Sequence, residues 1–247
     1  MEHLEGKIII IIPTFNEAEN IPVLIKEVFS LDLNYSLLVI DDNSPDGTSQ
    51  IVRKMQEIFP LLFLVTRKEK LGLGSAYVDG FKYALEKGYN IIVQMDADLS
   101  HDPECLPAML DLLKNSDLVI GSRYVKRGGV CNWVLGRSVM SRAGNIFAKT
   151  MLGFSINDST SGFKVVKRKV LEAIDFKTLT SRGYSFQIEM VYRAFLKGFK
   201  IIEYPIIFRG RKNERSKMSL GIFIEAFFRV IFWSFSKSLS SFKNRIN

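Results

Sequence analysis

Apolar runs and amphipathic segments alternate along the first half of the chain. The apolar runs are rich in β-branched residues and span residues 7–12, 36–40, 61–65, 91–95 and 118–120. The segments between them have the apolar periodicity of helices and span residues 20–29, 48–59, 75–87 and 103–114. Short apolar strands that alternate with helices predict an α/β fold, with a mainly parallel, Rossmann-like sheet flanked by helices.

Polar clusters follow each of the five predicted strands. In chain order they are "PTFNE", "DDNSPDGT", "RKEKLGLGS", "DADLSHD" and "GSRY". Ligands of parallel sheets bind beyond the carboxyl ends of the strands. Five polar endings at one edge of the sheet therefore predict a binding site there.

The alternation weakens after residue 121. The pattern is typical of a loop at residues 125–133, a helix at 137–152, a turn entering a strand at 157–166, a helix at 184–196 and a strand at 200–208. A basic loop at residues 209–217 leads into a strongly apolar helix. We therefore expect a globular body of residues 1–218 and a helical appendage of residues 219–247.

Composition narrows the classes of function. The chain has 34 Lys and Arg against 26 Asp and Glu, and this net charge of +8 indicates an anionic partner such as a nucleotide, a lipid phosphate, an acidic membrane surface or nucleic acid. No nucleic-acid-binding motif accompanies the basic loop, so we expect no nucleic-acid partner.

The histidines and cysteines exclude other classes of site. His3 and His101 are the only histidines, which argues against a Ser-His-Asp triad and a histidine-rich zinc site. Cys105 and Cys131 suggest neither a metal pair nor a disulfide framework, as in a reduced cytosolic compartment.

The sequence Asp96-Ala97-Asp98 at the end of the fourth strand is a candidate cation site. Residues two apart can point the same way, and paired carboxylates suit Mg²⁺ or Mn²⁺ together with substrate phosphates. The alternative is that one aspartate caps the following helix and the other is solvated. Ser100 or Asp102 could provide that cap instead.

Two further motifs are less specific. Asp41 and Asp42 follow the second strand directly, and a carboxylate there can accept hydrogen bonds from a nucleoside. "LGLGSAY" has two glycines before a helix, but it lacks the Gly-Lys-Ser/Thr of a P-loop and the third glycine of a dinucleotide fingerprint.

Taken together, the motifs resemble those of one enzyme family. "PTFNEAENIP", "VIDDNSPDGT", "KLGLGSAYVDGFKYA", "MDADLSHDP", "GSRY", "FQIEM" and "ERSKMS" follow one another over most of the chain. This series is similar to that of the dolichol-phosphate and polyprenol-phosphate mannose synthases, which are inverting family 2 glycosyltransferases with an A-type fold. The resemblance implies metal-dependent transfer of mannose from GDP-mannose to a polyprenyl or dolichyl monophosphate, at the cytoplasmic face of a membrane.

The resemblance also implies roles for individual residues. Those expected to bind the nucleotide-sugar are Pro13, Phe15, Glu17, Ile40, Asp42, Asp96, Ala97, Asp98, Arg123, Arg211 and Lys217. Phe15 stands where the family usually has tyrosine, so only a stacking role is expected of it. Asp96 and Asp98 are the expected ligands of Mg²⁺ or Mn²⁺, and Ser100 replaces a glutamine that some relatives use.

The acceptor phosphate is assigned to a helix. Arg137, Ser141 and Arg142 have helical i, i+4, i+5 spacing, so a common face is expected. We expect Arg137 and Ser141 to hold the lipid phosphate, and the alternative is a solvated basic helix face. A phosphate monoester has a second pKa of about 6 and needs no strong general base. The expected catalytic residues are therefore Asp98, Arg123 and Arg137.

The apolar segment at residues 220–235 is too short to span a bilayer. It covers about 24 Å as a helix, against a hydrocarbon core of about 30 Å, and it contains Glu225 and Arg229. A wide aromatic face suits an amphipathic helix in the membrane interface. Packing against the body or a partner is the alternative. No signal sequence precedes Pro13, so peripheral membrane association is expected.

Two other functions remain open at this point. The same fold can use another donor, such as UDP-glucose, because Asp42 and the Asp96–Asp98 pair do not distinguish the two nucleotides. A non-catalytic, membrane-associated subunit on the same fold is the second alternative, although the intact aspartate pair argues against it.

Overall fold

The computed structural model describes residues 6–179, 181, 183–210 and 220–243. The strands are β1 Ile8–Thr14, β2 Tyr35–Asp41, β3 Leu62–Thr66, β4 Ile91–Gln94, β5 Leu118–Ser122, β6 Gly129–Cys131, β7 Lys164–Lys167, β8 Ile201–Pro205 and β9 Ile207–Arg209. The helices are α1 Ile21–Phe29, α2 Thr48–Gln56, α3 Leu73–Glu86, α4 Leu106–Leu113, α5 Leu135–Leu152, α6 Arg168–Glu172, α7 Gly183–Leu196 and α8 Leu220–Lys243. Two 3₁₀ turns, Pro103–Cys105 and Phe176–Thr178, complete the described elements.

Seven strands form one sheet in the order β3-β2-β1-β4-β7-β5-β8. Strands β1 to β4 pair in parallel, and so do β5 and β8. Strand β7 lies antiparallel between β4 and β5. The mainly parallel sheet predicted from the apolar alternation is therefore confirmed, with one reversed strand at its centre.

The sheet is buried on both faces. Along β1, Ile9 and Ile11 belong to one core cluster, whereas Ile8, Ile10 and Ile12 belong to the other. Successive side chains of a strand point to opposite faces, so a continuous run of isoleucines is what a doubly covered strand requires.

Two short strands differ from the prediction. The segment predicted as a loop at residues 125–133 contains β6, and the single strand predicted at 200–208 is divided into β8 and β9. The division falls at Ile206, whose N–H donates to the Ser122 carbonyl while its own carbonyl accepts from Gly129. The chain thus passes from the large sheet to the β6–β9 pair at this residue. Strands of three residues are too short to show a recognisable apolar period.

Helix α8 packs against the body on one side only. Val230 is buried in the core, the Phe227 and Phe147 rings stack 4.7 Å apart, and Trp233 stacks on Tyr192 of α7. Phe228, on the other side, remains exposed. None of the helices in the described part of the chain combines the length and apolar character that crossing a bilayer requires.

Candidate active site

Asp41 and Asp42, at the end of β2, have different surroundings. Asp41 is fully buried, and its carboxylate accepts hydrogen bonds from Thr14 Oγ1 at 2.9 Å, from the Ser44 N–H at 2.9 Å and from Ser49 Oγ at 2.7 Å. These bonds tie the end of β1 to the loop after β2. Asp41 therefore holds the two loops together inside the protein.

Asp42, the residue after β2, is also buried and contacts the glycine-containing turn before α3. Its carboxylate accepts from Arg67 Nη1 at 2.7 Å and from the Gly72 N–H at 2.9 Å. Burial raises the pKa of Asp42, although the hydrogen bond from Gly72 and the charge of Arg67 oppose the shift. Gly72 has φ of 90°, a conformation that favours glycine. Gly74 is explained by packing, because a Cβ there would approach the Phe186 ring to 3.0 Å.

The remaining residues expected around the nucleotide lie at the same edge of the sheet. Pro13 and Ile40 are paired neighbours on β1 and β2, and both are buried. Glu17 is buried and accepts from Asn20 Nδ2 at 2.8 Å. Phe15 is half-buried, and Lys70 Nζ lies 3.6 Å from its ring centre. The Phe15 ring face on that side is thus covered by a cation in this structure.

The aspartate pair follows β4, which ends at Gln94, one residue earlier than predicted. Asp96 and Asp98 both line one cavity, and Ala97 between them is buried. Asp98 Oδ1 accepts from the Ser100 N–H at 3.1 Å and from the Ser100 hydroxyl. Asp102 accepts from the Glu104 N–H at 3.0 Å and caps the 3₁₀ turn. The residue that caps the following turn is therefore Asp102, and both Asp96 and Asp98 line the cavity.

Asp96 is surrounded by residues that fix its carboxylate. The Tyr77 hydroxyl lies 3.4 Å from Oδ1, and His101 Nε2 lies 3.8 Å from Oδ2. The Asp96 N–H donates to His101 Nδ1 at 3.2 Å. A Cβ at Gly162 would lie 2.8 Å from Asp96 Oδ2, so glycine makes room for the carboxylate. Burial raises the pKa of Asp96, and the charge of Asp98 adds to the shift.

The pair fits a divalent cation that takes part of its coordination from a ligand. Asp96 and Asp98 supply hard carboxylate oxygens, and a cation would offset the cost of burying the Asp96 charge. In the described ranges no group of three His, Cys, Asp or Glu residues is placed to hold a metal. A two-carboxylate site of this type suits Mg²⁺ or Mn²⁺ completed by phosphates and water.

Arg123, beyond the end of β5, is buried in an ion pair. Its Nε and Nη2 donate to the two Asp158 oxygens at 2.7 and 2.6 Å, and Nη2 also donates to Thr160 Oγ1 at 2.8 Å. Burial alone would raise the pKa of Asp158, but the Arg123 charge and hydrogen bonds hold that pKa below its usual value. Glu203 fixes the same turn by accepting from the Asp158 N–H at 2.9 Å.

The first half of α5 carries the residues expected at the acceptor phosphate. Arg137 and Ser141 both line the cavity, whereas Arg142 is exposed and does not. The Arg137 guanidinium lies 4.3 Å from the Trp133 ring centre. Ser141 Oγ accepts from the Tyr124 hydroxyl at 2.7 Å. The common face expected from the helical spacing is present for Arg137 and Ser141.

The cavity of about 310 Å³ has a polar end and an apolar wall. Its polar end combines the aspartate pair with Arg123, Arg137 and Ser141. The apolar wall comes from three helices, α5, α7 and α8. Its residues include Met140, Phe147, Ile188, Phe227 and Val230.

Arg211 and Lys217, expected to hold the donor phosphates, lie outside the described residues. The chain that leads to them is attached to the aspartate motif. Arg209 donates its N–H to the Ser100 carbonyl at 3.1 Å, and its Nη2 lies 3.3 Å from Asp102.

Several cavity residues were not predicted from the sequence. They are His101, Trp133, Thr160, Gly162, Phe227 and Val230. The sequence signals for them are weak: a lone tryptophan in a polar segment, and a glycine immediately before a predicted strand. The contacts that bring them into the cavity join segments far apart in the chain.

Comparison with known proteins finds a family model and relatives that are all glycosyltransferases. The model of the family described as "Glycosyl transferase family 2" matches residues 9–175. The polyprenol monophosphomannose synthase of Mycolicibacterium smegmatis is 42% identical over 227 residues, covering 91% of this chain and 86% of that protein. The undecaprenyl-phosphate mannosyltransferase of Micrococcus luteus is 39% identical over 240 residues, covering 97% and 99%.

Solved structures with the same fold are more distant in sequence. Glucosyl-3-phosphoglycerate synthase of Mycobacterium tuberculosis, with Mn²⁺, UDP-glucose and phosphoglyceric acid, has a TM-score of 0.64 at 20% identity, covering 93% of this chain and 80% of that one. A mannosyltransferase of Pyrobaculum calidifontis, with GDP-mannose and Mn²⁺, has a TM-score of 0.60 at 20% identity, covering 95% and 64%. These likenesses establish the A-type glycosyltransferase fold.

Proposed function

The chain belongs to glycosyl transferase family 2, and from that premise we propose that it transfers mannose, with inversion, from GDP-mannose to a polyprenyl monophosphate. One observation carries the proposal. A single cavity joins a carboxylate pair, two arginines and an apolar wall built by three helices. A substrate that is a phosphate at one end and an isoprenoid at the other complements this arrangement.

The acceptor side is assigned to α5. The phosphate of the lipid is ionised at neutral pH, since its second pKa is about 6. Arg137 and the Ser141 hydroxyl hold this phosphate, and the wall of Phe147, Ile188 and Phe227 contacts the first isoprene units. The phosphate oxygen forms a bond to the anomeric carbon as the bond from that carbon to the diphosphate breaks. No protein general base is needed.

The donor side is assigned to the carboxyl ends of β1, β2 and β4. Pro13, Phe15, Glu17, Ile40 and Asp42 surround the nucleoside. Asp96 and Asp98, with Ala97 between them, are the residues that would hold Mg²⁺ or Mn²⁺ at the diphosphate. When bound, that ion would supply positive charge against the charge that develops on the leaving GDP. Arg211 and Lys217 add positive charge to the same phosphates, and Arg123, whose charge is offset by Asp158, adds hydrogen bonds.

The relatives support this choice of acceptor and sugar. Two relatives at 42% and 39% identity carry names that specify mannosyl transfer to polyprenyl-type phosphates. The mannosyltransferase of Pyrobaculum calidifontis binds GDP-mannose with Mn²⁺ on the same fold. The support for GDP-mannose as the donor is therefore a likeness of fold.

A membrane surface is the proposed location of the reaction. Helix α8 turns Phe228, Phe232 and Phe235 outward, each more than 60% exposed. Val134 and Leu135, at the start of α5, are each 79% exposed. Apolar side chains on both helices would enter the interface where the acceptor's head group lies.

The direct test is a donor panel with radiolabelled sugars. Purified protein is incubated with undecaprenyl phosphate, Mg²⁺ or Mn²⁺, and GDP-mannose, UDP-glucose or GDP-glucose, and lipid-linked label is extracted. We expect label from GDP-mannose only, lost in Asp98→Asn and after metal chelation, and retained in Asp111→Asn, an exposed carboxylate on α4. Label from UDP-glucose alone would overturn the donor assignment. Transfer that survives in Asp98→Asn would overturn the assigned metal site.

A further inference from the structure

We propose that the indole N–H of Trp133 binds the acceptor phosphate, as a third donor beside Arg137 and Ser141. The inference rests on the proposed function, because the ligand is the monophosphate of the acceptor. Trp133 has no role among the residues assigned so far. It lines the same cavity as Arg137 and Ser141.

The position of the indole ring is fixed by its neighbours. Trp133 lies between β6 and α5, and its ring meets Phe208 of β9 edge-on at 5.2 Å. A Cβ at Gly210 would lie 2.4 Å from Trp133 Cδ1 and 2.9 Å from Nε1, so this glycine leaves room for the part of the ring that carries the N–H. The ring is therefore held against the β6–β9 pair, and its orientation is defined by packing.

The ring also orients two cations. The guanidinium carbon of Arg137 lies 4.3 Å from the ring centre, and that of Arg123 lies 5.4 Å from it. Cations over an indole face are attracted by its electron density. The Trp133 ring thus contacts both arginines that line the cavity.

Two donors in this cluster have no acceptor. Within the described part of the chain, Trp133 Nε1 and Arg137 Nε are shielded from solvent and donate to no oxygen. Buried donors without partners cost free energy, so such groups indicate a ligand that satisfies them. Ser141 accepts from Tyr124, which leaves the Ser141 O–H to donate to the same ligand.

Trp133, Arg137 and Ser141 line one cavity, where they offer three donors to the non-bridging oxygens of a phosphate monoester. The ligand's chemistry could also be that of the donor's diphosphate. The acceptor is favoured because Trp133 is followed at once by the exposed Val134 and Leu135. An isoprenoid chain that leaves the phosphate on this side passes directly onto an apolar surface.

Nuclear magnetic resonance of the indole N–H tests the contact directly. Trp133 and Trp233 are the only tryptophans, so ¹⁵N-labelled Trp233→Phe protein gives one indole signal, with the aromatic packing on Tyr192 retained. The protein is titrated with citronellyl phosphate, with GDP-mannose and with inorganic phosphate, each separately. We expect citronellyl phosphate to move the indole proton downfield by several tenths of a ppm, and GDP-mannose alone to leave it in place. A shift with GDP-mannose alone, or no shift with any phosphate, would overturn the proposal.

Kinetics separate phosphate binding from ring packing. Trp133→Phe keeps an aromatic ring and removes the N–H, and we expect the KM for polyprenyl phosphate to rise about tenfold with the KM for GDP-mannose unchanged. Trp233→Phe serves as the matched control, and we expect it to keep the wild-type KM values for both substrates. Equal KM values for acceptor in wild type and Trp133→Phe would contradict the proposal.

The two proposals fail in different ways. If the wild type makes no lipid-linked mannose, the proposed function is wrong, whereas the indole titration still reports whether a monophosphate binds at Trp133. If product forms normally but the indole signal ignores citronellyl phosphate, only the Trp133 assignment is wrong.

Discussion

At the scale of single residues, the two cavity arginines differ in electrostatic state. Arg123 is paired bidentately with the fully buried Asp158, so the pair adds little net charge and mainly presents aligned N–H donors. No carboxylate in the described ranges pairs with Arg137, which rests on an aromatic ring. In the proposed reaction two anions must approach each other. Of the two cavity arginines, Arg137 is therefore the one whose charge offsets this repulsion in the proposed reaction.

Lys164 is the most unusual titratable group near the site. It is fully buried on β7, and its ammonium donates to the Ser161 carbonyl and, at 2.5 Å, to Gln187 Oε1. Burial lowers the pKa of Lys164 to about 7, although the charges of Asp158 and Asp96 oppose the shift. The folded state therefore releases this proton at a lower pH than the unfolded chain does.

The sign of the resulting pH dependence follows. Above pH 7 the unfolded lysine keeps its proton until about 10.4, so the unfolded state binds more protons and stability rises with pH. Without metal, we expect the free energy of unfolding to rise by about 1.5 kcal/mol from pH 7 to pH 8.5. Urea denaturation of Lys164→Met should lack this rise, and the exposed-site control Lys26→Met should keep it. The same rise in both variants would show that Lys164 is not the group that causes it.

The residues that sequence could and could not predict differ in the range of their contacts. Arg137 and Ser141 lie one helical turn apart, so local spacing was enough to predict their common face. Gly162 leaves space for Asp96, and Trp133 supports Arg137, through a fold that no local pattern encodes. Arg123 was predicted from its motif, but its pairing with Asp158 was not.

At the scale of elements, the buried amide of Asn145 joins α5 to the turn at residues 159–160. Asn145 is buried, and its Nδ2 donates to Thr160 Oγ1 at 2.9 Å and to the Ser141 carbonyl at 3.1 Å. Its Oδ1 accepts from Ser159 Oγ at 3.1 Å. Since Thr160 also accepts from Arg123, the helix that carries Arg137 and Ser141 is linked to Arg123.

Removal of this amide should loosen α5 more than it affects the nucleotide pocket. We expect Asn145→Ala to lower the free energy of unfolding by about 1–3 kcal/mol, because buried partners lose their hydrogen bonds. We also expect the KM for polyprenyl phosphate to rise several-fold while the KM for GDP-mannose changes less. Thr150→Ala, at an exposed position of the same helix, is the matched control. Equal changes in both KM values would show that Asn145 does not act through α5.

Element prediction succeeded where the apolar runs were long. Strands β1 to β5 and the helices between them lie within a few residues of their predicted bounds. Strands β6 and β9 have three residues each, and their pairing joins segments far apart in the chain. The antiparallel direction of β7 could not be predicted either, because an apolar run has the same pattern in a parallel and in an antiparallel strand.

At the scale of the whole molecule, α8 joins the cavity to the outer surface. Phe227 and Val230 face the cavity, while Phe228, Phe232 and Phe235 form a stripe at i, i+4, i+7 on the opposite side. The sequence predicted an amphipathic helix with an apolar face, but not that its inner side completes the wall. That role depends on α5 and α7, whose positions are set by tertiary packing.

This dual role determines how membrane association should be tested. Deletion of residues 219–247 would remove Val230 from the core together with the exposed face, so a loss of vesicle binding would have two explanations.

The double variant Phe228→Ser with Phe232→Ser removes only outward side chains. Each buried phenylalanine contributes about 1.5–3 kcal/mol in an apolar environment. We expect the double variant to partition at least tenfold less into phosphatidylglycerol vesicles in a sedimentation assay, with water-soluble acceptor still mannosylated. Ile58→Ser with Leu61→Ser, two exposed apolar positions beside the β3 edge, should bind vesicles as wild type does. If the phenylalanine variant binds vesicles as tightly as that control, α8 does not enter the membrane interface.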